Sequence, residues 1–170
     1  MRKAFISPSK YVQGEDELYN LGYFVSTFGK KALLIADPFA RNLVKDKLEA
    51  TAKKYGVEFI SPGDFSGECS RNEVAKLKKF AKENDCDCTV GLGGGKAIDT
   101  AKCVAEGTNL IIVPTIAATD APTSHSAVLY TDDHHFDDYA YFKQNPSVVL
   151  VDTKVIANAP ARFLVSGMGD

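Results

Sequence analysis

Apolar residues fall into two alternating textures along the chain. Short unbroken runs, Lys31 to Ala36 (KALLIA), Thr89 to Leu92 and Leu110 to Val113, recur between stretches where apolar positions return every three or four residues. Such runs mark strands buried on both faces of a parallel sheet, and the periodic stretches mark the helices that cover it. Phe5–Ile6 and Tyr11–Val12 read as extended, and Glu15 to Phe28 spaces Leu18, Leu21, Phe24, Val25 and Phe28 as one helix. Asp37 followed by Pro38 reads as an N-cap with proline in the first turn, opening a helix from Phe39 to about Tyr55 that Gly56 ends. Val57 to Ile60 is a short strand, followed by the turn-rich Ser61 to Gly67. Ser70 with Glu73 three residues on is a capping box for a helix reaching Asn84, and Lys96 to Glu106 forms another.

The alternation predicts an α/β fold with a doubly wound parallel sheet. After Pro114 the texture changes. Thr115 to Ser126 is small and polar, hence a loop. Ala127–Thr131 and Phe136–Phe142 predict a small β-hairpin around an acidic turn, and Ser147–Val151 one further strand. Asp152–Thr153 opens a short helix and Pro160 another, which runs to Asp170. Residues 1–153 read as one domain, and residues 154–170 as the start of a following helical region.

Composition narrows the function classes. With 45% hydrophobic and 25% charged residues the chain reads as a soluble globular protein. A net charge of −2 is no footprint for a nucleic acid. No apolar run approaches the roughly 20 residues a membrane helix needs, and the start of the chain does not read as a secretory signal. The four cysteines, Cys69, Cys86, Cys88 and Cys103, include no C-x-x-C pair; they read as free thiols of a cytoplasmic protein.

The segment Gly91 to Lys102 (GLGGGKAIDTAK) lies between a predicted strand and a predicted helix. Backbone without Cβ atoms approaches a pyrophosphate closely, and free N–H groups at a helix start favour an anion. It is neither of the common phosphate motifs. Lys96 takes the third glycine position of the dinucleotide fingerprint, while the spacing to Gly95–Lys96 is one residue short of a P-loop and Ala97 replaces its Ser or Thr. Tight strand-to-helix packing is the other reading of these glycines. Asp37, also at the end of a buried strand, could accept ribose hydroxyls or serve only as a helix cap.

With Ser7 to Gly14 (SPSKYVQG), Gly67 to Glu73 (GECSRNE), Gly93–Lys96 with Asp99–Lys102, Pro114–Thr115, Thr119 to Ser124 (TDAPTS), and Val151–Lys154 with Ala159–Pro160, the chain resembles the glycerol dehydrogenase family, within the iron-type alcohol dehydrogenase superfamily. The resemblance implies a Rossmann-like domain that binds NAD. It implies that Asp37 takes the adenosine ribose, that Gly93, Gly94, Gly95 and Lys96 hold the pyrophosphate, and that Thr115 and the residues just after it form a second cofactor wall. Ser124 and Tyr130 match the nicotinamide side, and Asp120 the residue that approaches the substrate hydroxyls. Asp170 matches a ligand of the catalytic zinc. In the family reaction glycerol gives dihydroxyacetone, with zinc lowering the pKa of the reacting hydroxyl and NAD accepting hydride.

Three departures qualify these expectations. Ala118 stands in the cofactor wall where the family usually has serine. His125–Ser126 replaces the usual small residue and leucine, which puts substrate preference in question and leaves another polyol or hydroxyketone dehydrogenase open. The family's second, all-helical domain, with the two histidines that complete the metal site, has no counterpart in these 170 residues. The chain alone is therefore expected to be catalytically incomplete, since a catalytic zinc takes three protein ligands. A non-catalytic nucleotide-binding or partner-binding relative is the alternative. Family members are homo-oligomers, and the apolar Val155 to Met168 predicts self-association. Asp132 to Asp138 (DDHHFDD) has residue types that suit a metal, but reads as the charged tip of the hairpin.

Overall fold

A computed structural model describes residues 7–63 and 65–170, so the expectation for Phe5–Ile6 lies outside the described residues. In chain order the elements are β1 (Tyr11–Gly14), a 3-10 turn (Glu17–Asn20), α1 (Leu21–Ser26), β2 (Lys31–Ala36), α2 (Pro38–Leu43), α3 (Lys45–Tyr55) and β3 (Glu58–Ile60). There follow α4 (Arg71–Glu83), β4 (Cys88–Gly93), α5 (Gly95–Val104), β5 (Asn109–Pro114), β6 (Ser126–Tyr130), β7 (Phe136–Tyr141), β8 (Val148–Asp152), α6 (Thr153–Ala157) and α7 (Ala161–Gly169).

Six strands form one parallel sheet in the order β1-β8-β5-β4-β2-β3. The chain runs outward from β2 to β3, then returns to the other side of β2 with β4. The carboxyl ends of β2 and β4 are therefore the point where the winding reverses, and ligands of such sheets bind in the crevice there. Alternate strand residues serve two cores. Leu34, Val90, Ile111 and Leu150 face α1 and α3, while Leu33, Ile35, Ile112 and Val149 face α4 and α5. The doubly wound parallel sheet read from the apolar runs is the one found, and it is Rossmann-like, as the family resemblance implied. The antiparallel pair β6–β7 is the predicted hairpin. Its Ala127 and Leu129 rest on Cys69 and Cys103.

Two helices differ from their expected extents. The predicted helix over Glu15–Phe28 is a 3-10 turn followed by the six-residue α1. Asp16 adopts left-handed backbone (φ 59), and the Asp16 and Leu18 N–H groups donate to Asp152 instead of joining a helix. The expected apolar set still faces inward: Leu18, Leu21 and Val25 have no exposure. The helix expected from Phe39 to Tyr55 breaks at Val44 (φ −117), a buried β-branched residue. Both predicted caps form: Asp37 Oδ1 accepts from Ala40 N–H at 2.8 Å and Ser70 Oγ from Glu73 N–H at 3.2 Å.

The fully buried Asp152 carboxylate closes the carboxyl edge of the sheet. It accepts from Asp16 N–H (3.2 Å), Leu18 N–H (3.3 Å), Lys154 N–H (3.1 Å), Val155 N–H (3.4 Å) and Lys47 Nζ (2.6 Å). Lys47 in turn pairs with Asp16 at 3.1 Å, and Lys154 also reaches Asp16. Truncating one member of such a buried pair strands the other charge and several N–H groups. Asp152→Ala is expected to cost about 3–5 kcal/mol in urea unfolding. A loss under about 1 kcal/mol would mean that the carboxylate does not tie these elements together.

Candidate functional site

Glycines set the shape of the crevice at the ends of β2 and β4. Within β4, a Cβ on Gly91 would lie 2.5 Å from Ala101 Cβ, so α5 packs directly on the strand backbone. At the strand's end Gly93 has φ 144, a conformation that side chains avoid. A Cβ there would meet Ala97 Cβ at 3.3 Å and Asp37 Oδ2 at 3.5 Å. A Cβ on Gly94 would sit 3.1 Å from Ile116 Cδ1, and one on Gly95 would sit 3.5 Å from Thr119 Cγ2. The two readings of these glycines, close packing and an anion cradle, thus separate by position: Gly91 packs, while Gly93 to Gly95 keep the crevice open.

Gly94 is the N-cap of α5, and no side chain caps it. The first N–H groups of this ten-residue helix are therefore left to an anion. Asp37 faces the same place from β2. Its Oδ1 caps α2, and its Oδ2 is the atom nearest Gly93 across the crevice. Capping and ligand contact are compatible, because they use different oxygens. The buried Thr115 follows β5 and donates its N–H to Gly93 O at 3.0 Å, fixing the loop from below. A nucleotide pyrophosphate fits this arrangement of backbone donors and missing Cβ atoms.

The other expected residues fall into three groups. Lys96 turns toward the buried Glu68 and pairs with it at 2.7 Å. Ala118 and Asp120 lie against α7. Gly167 brings that helix so close to Ala117 that a Cβ would reach 2.2 Å from its carbonyl oxygen, while Ala118 O accepts from Ser166 Oγ and Asp120 N–H donates to Asp170 Oδ2 at 2.8 Å. Asp120 and Asp170, fifty residues apart, are thus side by side. Ser124 and Tyr130 belong to the hairpin side: Ser124 Oγ lies 2.9 Å from Lys102 Nζ, and Tyr130 N–H donates to Cys69 O at 2.9 Å.

Among the described residues no three His, Cys, Asp or Glu side chains converge on a metal position. Asp170 is one carboxylate, already accepting from Asp120, and does not by itself make a zinc site. Three of the four acidic residues of the Asp132–Asp138 segment have protein partners: Asp132 binds Asn72, while Asp137 and Asp138 bind Arg71 at 2.7 and 3.1 Å.

Two groups escaped the sequence reading. Lys102 is 3% exposed, and its ammonium meets Asp99 (3.2 Å), Ser124 Oγ (2.9 Å) and Ser126 O (2.7 Å). Asp99 also accepts from Val128 N–H at 3.1 Å. Burial is the largest influence on both. It raises the Asp99 carboxyl above its ordinary value and lowers the Lys102 ammonium, against the pull of their pairing. This buried pair locks α5 to the hairpin and to the loop before it. The available signal was a charged pair three residues apart, interspersed with Ala97, Ile98, Ala101, Cys103 and Val104 of the same helix.

Glu68 is the second. Its carboxylate accepts from Lys96 Nζ (2.7 Å), His134 Nδ1 (2.9 Å) and Cys69 N–H (3.3 Å), joining the hairpin tip to the glycine-loop helix. His134 reaches it from left-handed backbone, φ 64.

Residues 8–153 match the iron-containing alcohol dehydrogenase family. The glycerol dehydrogenase of Escherichia coli O6:H1 is 41% identical over all of this chain and 47% of its own length. The glycolaldehyde reductase of Halobacterium salinarum is also 41% identical, with the same coverage. The crystal structure of glycerol dehydrogenase from Schizosaccharomyces pombe superposes with a TM-score of 0.88 at 37% identity, over 99% of this chain and 43% of that one. The chain spans about half the length of the curated relatives it matches.

Burial pushes the Glu68 carboxyl up, but its bonds to Lys96, His134 and Cys69 outweigh this and hold it below the usual glutamate range. A carboxyl lowered by folding contributes stability that is complete above its unfolded pKa and is lost as pH falls through its folded one. Thermal melts between about pH 5 and about pH 3 should therefore show a loss of stability that Glu68→Gln reduces. An identical acid profile in Glu68→Gln would remove Glu68 from the account.

Proposed function

The chain belongs to the iron-containing alcohol dehydrogenase family, and from that premise we propose that it is the NAD-binding portion of an oxidoreductase resembling glycerol dehydrogenase. The observation that carries this is the cradle where the winding reverses: Gly93 and Gly94 without side chains, the uncapped start of α5, and the free Asp37 oxygen facing them. On this reading residues 1–153 are the cofactor domain and residues 154–170 open a helical region. The pyrophosphate lies on Gly93, Gly94 and Gly95. Lys96 adds positive charge there, with one of its three ammonium donors engaged by Glu68. Asp37 Oδ2 accepts ribose hydroxyls, which disfavours the 2′-phosphate of NADP. Thr115 to Ala118 form a second wall, and Ser124 and Tyr130 line the nicotinamide side.

NAD supplies a hydride acceptor when bound. Within the chain, Asp120 orients the substrate hydroxyls of a polyol such as glycerol. Asp170 serves as one zinc ligand, presented beside Asp120 by α7. No three metal-binding side chains come together among the described residues, and these 170 residues by themselves are incomplete as a catalyst on this reading. The equal likeness to glycolaldehyde reductase, with His125–Ser126 in the chain, favours another small polyol or hydroxyaldehyde as the second reading of substrate. Leu164, Val165 and Met168 of α7 are 56%, 67% and 79% exposed, a face that suits assembly with further copies. The four free cysteines suit a reducing cytoplasmic setting.

NADH titration followed by cofactor fluorescence is unobscured, since the chain has no tryptophan. Saturable binding is expected, weaker for NADPH, and reduced about tenfold or more by Gly94→Val. An unchanged affinity in Gly94→Val would overturn the cradle as the site. With glycerol and zinc, NADH formation is expected to stay at background. A zinc-dependent rate abolished by Asp170→Ala would overturn the proposed incompleteness.

A further inference from the structure

Cys69 and Cys103 face each other with their Sγ atoms 4.0 Å apart, at 1% and 6% exposure. Cys69 precedes the Ser70 cap of α4, and Cys103 lies in the last turn of α5. Ala127 and Leu129 of the hairpin close over the pair, with Val74, Ala140 and Phe142 around it. The two sulfurs are not equivalent. The two sulfurs are in hydrogen-bond contact, and this contact, with Thr100, lowers the Cys69 thiol despite burial. The same contact, with burial, pushes Cys103 up. Burial also pushes the Cys88 thiol up to about 12 and raises Cys86, so Cys69, facing a second sulfur at 4.0 Å, is the thiol of the four that ionises most readily.

We propose that Cys69 and Cys103 form a redox-modification site, in which a hydroperoxide converts the facing dithiol into an internal disulfide that staples the start of α4 to α5. The Cys69 thiolate attacks one peroxide oxygen. An S–O bond forms as the O–O bond breaks, and the departing hydroxide takes up the proton that Cys69 had released, giving the sulfenic acid and one water. The Cys103 sulfur then attacks the Cys69 sulfur. The S–S bond forms, the S–O bond breaks, and the Cys103 proton departs with that oxygen as water. Two electrons pass from the thiols to the peroxide, and two thiols with one hydrogen peroxide give one disulfide and two waters.

The sulfurs must close from 4.0 Å to about 2.05 Å. Side-chain rotation at the two cysteines takes up this movement, since the Cys69 backbone is held by Tyr130 N–H and Cys103 lies in a helix. The resulting covalent loop contains β4 and the whole glycine turn. Cys69 is also next to Glu68, so the staple anchors the segment that holds Lys96.

The test is mild hydrogen peroxide treatment of the reduced full chain, then alkylation and peptide mass spectrometry. A Cys69–Cys103 cross-linked peptide pair, two hydrogens lighter than the thiols and restored by dithiothreitol, is expected. It should be missing from both Cys69→Ser and Cys103→Ser. In Cys103→Ser, Cys69 should instead be trapped by dimedone as the sulfenic acid. Thermal unfolding of the oxidised wild type should rise by about 5 °C or more over the reduced form. Cys88→Ser should keep both the cross-link and the shift. Peroxide that oxidises Cys86 while Cys69 and Cys103 are both recovered alkylated would overturn the proposal. So would accumulation of Cys69 sulfinic acid in the wild type without the cross-link, or a cross-link that leaves the unfolding temperature unchanged.

Discussion

Asp152, a carboxylate without access to water, accepts from four backbone N–H groups and one ammonium, and through them fixes three parts of the chain at the carboxyl edge of the sheet. One oxygen takes the start of α6 and the turn after β1, while the other takes Leu18 and Lys47. Burying such a charge is unfavourable unless every lone pair is used, and here the surrounding elements supply the donors. The requirement bends the chain at Asp16 and sets α3 over the first core through Lys47. The same edge carries the glycine turn, and a ligand there would meet a rim whose parts are held by an internal ion rather than by the ligand.

The crevice itself is a matter of missing atoms. At Gly91 the missing Cβ lets α5 lie on β4; at Gly93 and Gly94 it leaves a space bounded by Asp37 and Ile116. Close packing of helix on strand aims the N-terminus of α5 at that space, and Thr115 fixes the loop's carbonyl beneath it. The polar ties that hold α5 in place lie on its far side, where Lys102 and Asp99 bind the hairpin and Glu68 binds Lys96. The helix that presents the glycines is thus secured by strand packing on one face and by buried charge on the other.

Features governed by local spacing were legible in the sequence. The strand cores at Lys31–Ala36 and Leu110–Val113, the caps Asp37 and Ser70, the hairpin and the position of the glycine turn follow from period, capping chemistry and turn residues. What was missed depends on partners far away in the chain. Leu18 and its neighbours have helical spacing, yet Asp152, 134 residues later, takes the Leu18 N–H. Nothing near Glu68 in sequence announces that Lys96 and His134 will complete its coordination. The Asp99–Lys102 pair was visible as a motif, but its burial was not, because the hairpin that covers it is assigned to a different part of the chain.

Strand β1 pairs with β8, Tyr11 lying beside Val149, so the sheet is completed by segments at nearly opposite ends of the domain. During synthesis the first strand has no neighbour until the last has been made. Loop-closure entropy delays so distant a pairing, and the β8 side of β5 stays open until then. Asp152 belongs to that late strand, and its donors at Asp16 and Leu18 wait with it. The contacts that tie the carboxyl rim at Asp152 therefore cannot form before β8 is made, whereas β2, β4 and β5, which bring the glycine turn and Asp37 together, all lie earlier in the chain.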